Sequence, residues 1–226
     1  MMGGDFAPLE AVKGVQQYLS SSENNIFCIG EETQLKDLFQ QHGVSSPFLH
    51  IVHAPEAIGY HEHPTKALKE KPNSSIAVGF KLLAEGSIDA FGSAGNTGAM
   101  LVGSIQYLKL VEGCDRPCLT AAIPRVNMHP GLLLDVGANA DCKPEHLQQF
   151  ALLGSLYAES ILNISSPRVG LINIGEEDEK GSILTRAAHQ LLRHRAPAFR
   201  DCIPRGKTIF YRSARSRFSC HRTRTS

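Results

Sequence analysis

Apolar positions recur every three to four residues through 8–20, with Val12, Val15 and Leu19 on one face behind Pro8 in the first turn. That spacing predicts a helix. A short apolar run over 25–30 predicts a strand. A second helix follows at 32–41 with Leu35, Leu38 and Phe39 inward, then a strand at 48–52. The Asn73-Ser74-Ser75 cluster caps a helix over 74–85 carrying Ile76, Val78, Phe80 and Leu83. Residues 87–91 predict a strand, and Ala99 to Leu108 a helix. Further strands are expected at 119–123, 132–136 and 169–174, and further helices at 144–162 and 182–193. Strands alternating with helices define an α/β chain with a mainly parallel sheet covered on both faces. The strands are apolar without strict alternation, as a sheet buried on both sides requires. Beyond Arg200 this periodicity stops, leaving an Arg-, Ser- and Thr-rich stretch to Ser226.

Composition narrows the picture little. A chain of 226 residues with 42% hydrophobic residues and a formal charge of +1 has enough apolar material for a substantial core. It carries no charge excess that would draw it to nucleic acid. No run approaches the ~20 apolar residues that span a bilayer, and no basic-then-apolar leader opens the chain, so a cytoplasmic address is expected. The six cysteines include no CxxC pair, which argues for reduced thiols rather than zinc or redox chemistry.

The sharpest chemical signal is Ser93-Ala94-Gly95-Asn96-Thr97-Gly98, between the expected strand and the expected helix. A small-residue turn opening a helix leaves backbone N–H groups without carbonyl partners at the positive end of the helix dipole. Glycines admit close approach, and Asn96 and Thr97 add polar groups. Such a turn either cradles a phosphate or is simply a capped strand-to-helix connection. Lys180 ends the acidic run 176–179 just past an expected strand. It is a cation for a phosphate or developing oxyanion, or a solvated lysine. Asp135, Asn139 and Asp141 follow the apolar strand 132–136. Asp135 and Asn139 orient Lys180 or a substrate, or cap the helix that Pro144 begins. His146 is an acid or base, or more simply a first-turn packing residue. His61-Glu62-His63 is read as an exposed loop without a third metal ligand.

Several blocks together carry a family resemblance. They are Met2-Gly3-Gly4-Asp5-Phe6-Ala7-Pro8, Ser93 to Ala99, Asp115-Arg116-Pro117, and Leu132 to Asn139 running on through Asp141 to His146. Pro167 to Glu177 follows, with Lys180-Gly181 after it. In this order, across about residues 2–199, they resemble the bacterial phosphate acyltransferases of phospholipid synthesis (the PlsX family). The resemblance implies transfer of a fatty acyl group from acyl carrier protein to inorganic phosphate, giving an acyl phosphate. It also implies a three-layer α/β/α sandwich like that of isocitrate and isopropylmalate dehydrogenases and phosphotransacetylases. It further implies a homodimer, no cofactor or metal, and peripheral membrane contact by the full-length family.

On this resemblance Lys180 and Asn96 are the catalytic candidates. Gly4, Asp5, Ser93, Gly95, Asn96, Thr97, Gly98, Asp135 and Asn139 are the substrate and phosphate candidates. Family chains place a short apolar strand before the Met-Gly-Gly-Asp block and further elements beyond Phe199. The expectation is therefore a partial domain over 1–199, followed by an aberrant, frameshifted or disordered basic tail over 200–226. A non-catalytic relic that binds only phosphate or a partner is the alternative. A nicotinamide-dependent dehydrogenase of the same fold is disfavoured, because no Gly-x-Gly-x-x-Gly follows a strand.

Overall fold

In a computed structural model, residues 1–125, 130–174 and 180–195 are described; they contain both strands and helices, which alternate only through the first two helices and first two strands. The chain divides into two compact units, Met1–Val111 and Glu112 onward. The basic stretch 200–226 and the acidic run 176–179 lie outside the described residues.

The first unit contains α1 (Leu9–Leu19), β1 (Ile26–Gly30), α2 (Glu32–Gln41) and β2 (Leu49–His53). These are followed by α3 (Pro64–Glu70), α4 (Ser75–Ala84) and α5 (Thr97–Gly103), which runs into a π-helical turn at Ser104–Leu108. β1 and β2 pair in parallel, from Ile26 opposite Leu49 to Gly30 opposite His53, with α2 as the crossover. The Glu31 carboxylate starts α2 by accepting from the Thr33 and Gln34 amides, and Ser74 starts α4 by accepting from Ala77. Val12, Cys28, Leu35 and Phe39 form one buried cluster; Ile58, Leu68, Ile76, Phe80 and Ala99 belong to another. Each such Val, Leu, Ile or Phe side chain, fully buried, contributes about 1.5–3 kcal/mol.

Two expectations change here. Residues 87–91 form no strand. Phe91 instead turns inward and meets Phe80 edge-on, ring centroids 5.1 Å apart, so side-chain packing rather than a ladder holds the segment. Helix α3 was not anticipated; its seven residues give too few turns for an apolar period, although Ala67 and Leu68 are buried.

The second unit contains β3 (Thr120–Ile123), β4 (Gly131–Leu134), α6 (Pro144–Ser160) and α7 (Ile183–Arg195). β3 and β4 run antiparallel, from Thr120 opposite Leu134 to Ile123 opposite Gly131, against the expectation of parallel neighbours. Residues 124–130 are too few for the crossover of a dozen or more that a parallel pair needs. Beyond a single bridge residue at Val169, the expected strand 169–174 forms no ladder. Val169 packs instead with Leu132, Ala151, Ala158, Ile164 and Leu192 in the core of this unit. Among the described residues no helix is long and apolar enough to cross a membrane.

Candidate functional site

In the first unit the two glycine turns singled out in the sequence meet. A Cβ on Gly3 would lie 2.5 Å from the Gly95 Cα, so only a glycine lets these two backbones touch. Gly4 follows at φ +114°, and Asp5 is exposed beyond it. On the other side of the turn, a Cβ on Gly98 would lie 2.5 Å from Pro64 Cγ, fixing the start of α5 against the start of α3. Ser93 Oγ accepts from the Gly95 amide at 3.1 Å, closing the turn from within.

Asn96 is the buried keystone. Its Oδ1 accepts from the Ala99 amide at 2.9 Å and caps α5. Its Nδ2 is shared among the carbonyls of Gly59 at 3.0 Å, Glu62 at 3.2 Å and Tyr60 at 3.3 Å. Both ends of the amide are therefore engaged within the protein. The amides of Thr97 and Gly98, in the first turn of α5, have no helical acceptor.

The loop 59–62 that receives Asn96 was missed as part of the site. The only mark in sequence was His61-Glu62-His63, which reads as an exposed loop rather than as scaffolding. Glu62 Oε1 accepts from the Gly59 amide at 2.6 Å and from Lys71 Nζ at 2.7 Å. The Lys71 hydrogen bond first, then the Gly59 amide, hold the Glu62 carboxyl below the usual range. Tyr60 donates to the Ala94 carbonyl at 3.1 Å, tying this loop to the glycine turn.

In the second unit Asp135 organises the connection after β4. Its Oδ1 accepts from the amides of Leu119 at 2.9 Å and Ala138 at 3.1 Å. Its Oδ2 accepts from the Asn139 amide at 2.7 Å and side chain at 2.9 Å. Asn139 also donates to the Pro117 carbonyl at 2.9 Å. Arg116 donates to the Asp141 carbonyl, and Asp115 exchanges two hydrogen bonds with Gln149 of α6, so the Asp115-Arg116-Pro117 block braces the same loop. Neither Asp135 nor Asn139 caps the helix at Pro144. That position is Lys143, whose amide donates to Nδ1 of the buried His146 at 3.1 Å. His146 is thus the packing residue its position implied.

Burial of Asp135 opposes ionisation, yet the donors from Leu119, Asn139 and Ala138 outweigh it and leave the carboxyl below its ordinary value. A depressed native pKa means that the stabilisation is complete above the unfolded value, about 3.9, and is lost as pH falls through the native one. The melting temperature is therefore expected to fall below about pH 4. Asp135→Asn turns an acceptor into a donor facing N–H groups and is expected to cost about 2 kcal/mol, flattening that acid limb. Thermal melts of both forms between neutral and acid pH check this.

Lys180 is exposed, and its carbonyl accepts from Asn173 Nδ2 at 2.8 Å. Two residues on, Ser182 Oγ accepts from the Thr185 amide at 3.1 Å and starts α7. The lysine thus stands on a loop fixed at both sides, by Asn173 before it and by a helix cap after it. Of the thiols, burial pushes Cys28 up to about 11, and burial is also the main cause raising Cys118 and Cys142. These three are poor nucleophiles at neutral pH.

The chain is thus of the α/β class, with one helix start built on glycine turns and another opened by a serine cap. It belongs to the fatty acid synthesis protein family, whose model it matches over residues 1–200. It is 43% identical over 193 residues to a phosphate acyltransferase of Dictyoglomus turgidum, covering 85% of this chain and 57% of that protein. A phosphate acyltransferase of Desulfitobacterium hafniense is 44% identical over 191 residues, 84% of this chain and 57% of its own length. One from Herpetosiphon aurantiacus is 43% identical over 194 residues, 86% of this chain and 52% of its own. The chain thus matches little more than half the length of these relatives.

Proposed function

We propose that this chain carries phosphate acyltransferase chemistry, moving a fatty acyl group from acyl carrier protein to inorganic phosphate. The meeting of the Gly3-Gly4 and Gly95 turns beside the first amides of α5, in a chain so similar to phosphate acyltransferases, is the observation that carries this reading. A phosphate oxygen attacks the thioester carbonyl carbon, the carbonyl oxygen becomes an oxyanion, and collapse expels the carrier's thiolate while the acyl–phosphate bond remains. Phosphate is itself the nucleophile, so no enzyme acyl intermediate is needed, in keeping with the raised thiols. Gly4, Asp5, Ser93, Gly95, Thr97 and Gly98 shape the phosphate-binding turn, with the Thr97 and Gly98 amides donating and Asn96 holding the turn rigid. Lys180 supplies positive charge to the phosphate or oxyanion. Asp135 and Asn139 fix the loop after β4 on the substrate side of their unit. No metal or cofactor enters this scheme.

The architecture in this reading is the three-layer α/β/α sandwich of the dehydrogenase-like group, acting in the cytoplasm and at the membrane face. The direct test mixes the purified chain with acyl carrier protein charged with a fatty acid and with phosphate, and traps acyl phosphate as hydroxamate. Phosphate-dependent product supports the proposal. Phosphate binding without product leaves the relic reading in its place.

Self-association belongs to the same reading. Helix α6 leaves Leu152 and Leu156, one turn apart on one face, half or more exposed, an apolar patch suited to a second copy. Leu156→Glu is expected to shift the protein from dimer to monomer in light scattering; an unchanged mass would remove α6 from the interface.

A further inference from the structure

One lysine ties the loop that receives Asn96 to the helices behind it. Lys71 closes α3, its amide donating to the Ala67 carbonyl at 2.8 Å. Its own carbonyl accepts at 3.1 Å from the amide of Ser74, the fully buried cap of α4. The Lys71 backbone is thereby fixed between two helices, and its side chain reaches back from that point to the loop. There Nζ donates to the Ala57 carbonyl at 2.8 Å and to Glu62 Oε1 at 2.7 Å. The ion pairs Glu10–Lys13, Glu32–Lys36 and Lys66–Glu70 each lie within one helix and are more exposed, where such pairs add little. Lys71 and Glu62, with side chains 33% and 36% exposed, join two separate segments.

The loop needs such a brace. It aims the carbonyls of Gly59, Tyr60 and Glu62 at the single Nδ2 of Asn96. Carbonyl dipoles that converge on one point repel one another, and a side-chain amide carries only two hydrogens for these three acceptors. Asn96 alone therefore does not hold the loop in this shape. The Glu62 carboxylate adds one tie by accepting from the Gly59 amide at 2.6 Å. The Lys71 ammonium supplies the positive charge that offsets both the carboxylate and the converging carbonyls. Asn96 in turn caps α5 through the Ala99 amide, and Tyr60 donates to the Ala94 carbonyl of the glycine turn. Hydrogen bonds thus run from Lys71 through Glu62 and the loop to the start of α5, while both Lys71 side-chain bonds end on the loop rather than on the turn itself.

We propose that Lys71 is a positioning residue for phosphate: it sets the loop that holds Asn96 and, through Asn96, the first amides of α5. This rests on the reading of that turn as the phosphate site. The role is placement of the nucleophile in the ground state as much as in the transition state, so losing it raises the KM for phosphate and leaves kcat unchanged.

The test uses Lys71→Met in the full chain, which keeps the aliphatic stem and deletes both donors. Binding of inorganic phosphate, followed by calorimetry, is expected to weaken by about tenfold or more, the scale of one lost hydrogen bond to a charged group. In the transfer assay the KM for phosphate should rise by the same factor, with kcat and the KM for the acyl donor unchanged. Lys71→Arg keeps charge and donors and should recover part of the loss. Lys81→Met removes a lysine whose Nζ donates to the Pro72 carbonyl at 2.9 Å, off the loop, and should bind phosphate as the parent does. A lysine needed only for folding behaves differently: fewer molecules fold, so kcat falls while KM and the affinity of the folded fraction stay put. That pattern overturns the proposal, as does parental phosphate affinity in Lys71→Met, or an equal loss in Lys81→Met. If Lys71→Met fails to fold, Glu62→Ala, which keeps the carbonyl of residue 62 for Asn96, carries the same expectation and the same refutation. Calorimetry also separates this inference from the transferase reading. Weakened phosphate binding in a chain without transfer activity keeps Lys71 in its role and removes the reaction, whereas a parent chain that binds no phosphate removes both.

Discussion

Lys180→Ala is expected to lower the rate of acyl phosphate formation by about 100-fold while leaving thermal unfolding nearly unchanged. The rate term follows from the charge of the reaction. A phosphate nucleophile is already anionic, and attack on the thioester adds an oxyanion, so a cation held on the approach is worth more in the transition state than in the ground state. The stability term follows from position. Lys180 is exposed, where a side-chain contact with solvent access contributes little to stability, and its backbone carbonyl, which accepts from Asn173, is kept by alanine. Lys180→Arg keeps the charge but spreads it over a planar fork, and should recover part of the rate. Turnover by Lys180→Ala within a few-fold of the parent would make this a solvated loop lysine. A rate loss accompanied by a large drop in melting temperature would make it structural.

Local signals were legible wherever one segment carries its own cause. Helix α2 appears at Glu32–Gln41 as its Leu35, Leu38 and Phe39 spacing implied, and Ser74 caps α4 from within the cluster that marked it. Family membership was legible because the blocks at Met2, Ser93, Asp115, Leu132 and Pro167 are long and ordered, and the family model matches the same span. What sequence could not carry were facts that depend on a partner. Residues 87–91 and 169–174 have strand-like composition, but a strand exists only where a neighbour completes its ladder. The antiparallel β3–β4 pair was foreseeable from the seven residues between them, yet strand-helix alternation elsewhere outweighed that cue. Roles inside the candidate site divided in the same way. That glycines were needed at 95 and 98 was readable. That Gly95 meets Gly3 and Gly98 meets Pro64 is a long-range contact without any local mark. Asp135 was read as reaching a substrate or a helix, whereas all four of its contacts hold its own loop and the strand entry at Leu119.

Asn96 was read from sequence as a donor to phosphate or oxyanion, but its contacts make a second, larger effect testable. Asn96→Ala removes the cap on the Ala99 amide, a loss of about 1 kcal/mol. It also strips the donor shared by the Gly59, Tyr60 and Glu62 carbonyls, and a buried acceptor left without a donor costs about 1–3 kcal/mol. Together the loss is about 2–4 kcal/mol, a fall in melting temperature of about 10 °C or more for a unit this size. Asn96→Asp separates the two parts, because it keeps the oxygen that caps α5 and replaces the donor by a second acceptor facing three carbonyls. If capping dominates, the aspartate variant should melt near the parent. If the donor dominates, it should melt as low as the alanine variant or lower, and recover on acidification as the carboxyl gains a proton it can donate. We expect the second pattern, because one amide serves three carbonyls here but only one backbone N–H. Thermal melts of the three proteins at neutral and mildly acid pH decide it. An alanine variant that melts with the parent would mean that the loop 59–62 stays in place without Asn96, and that its amide is available to an anion after all.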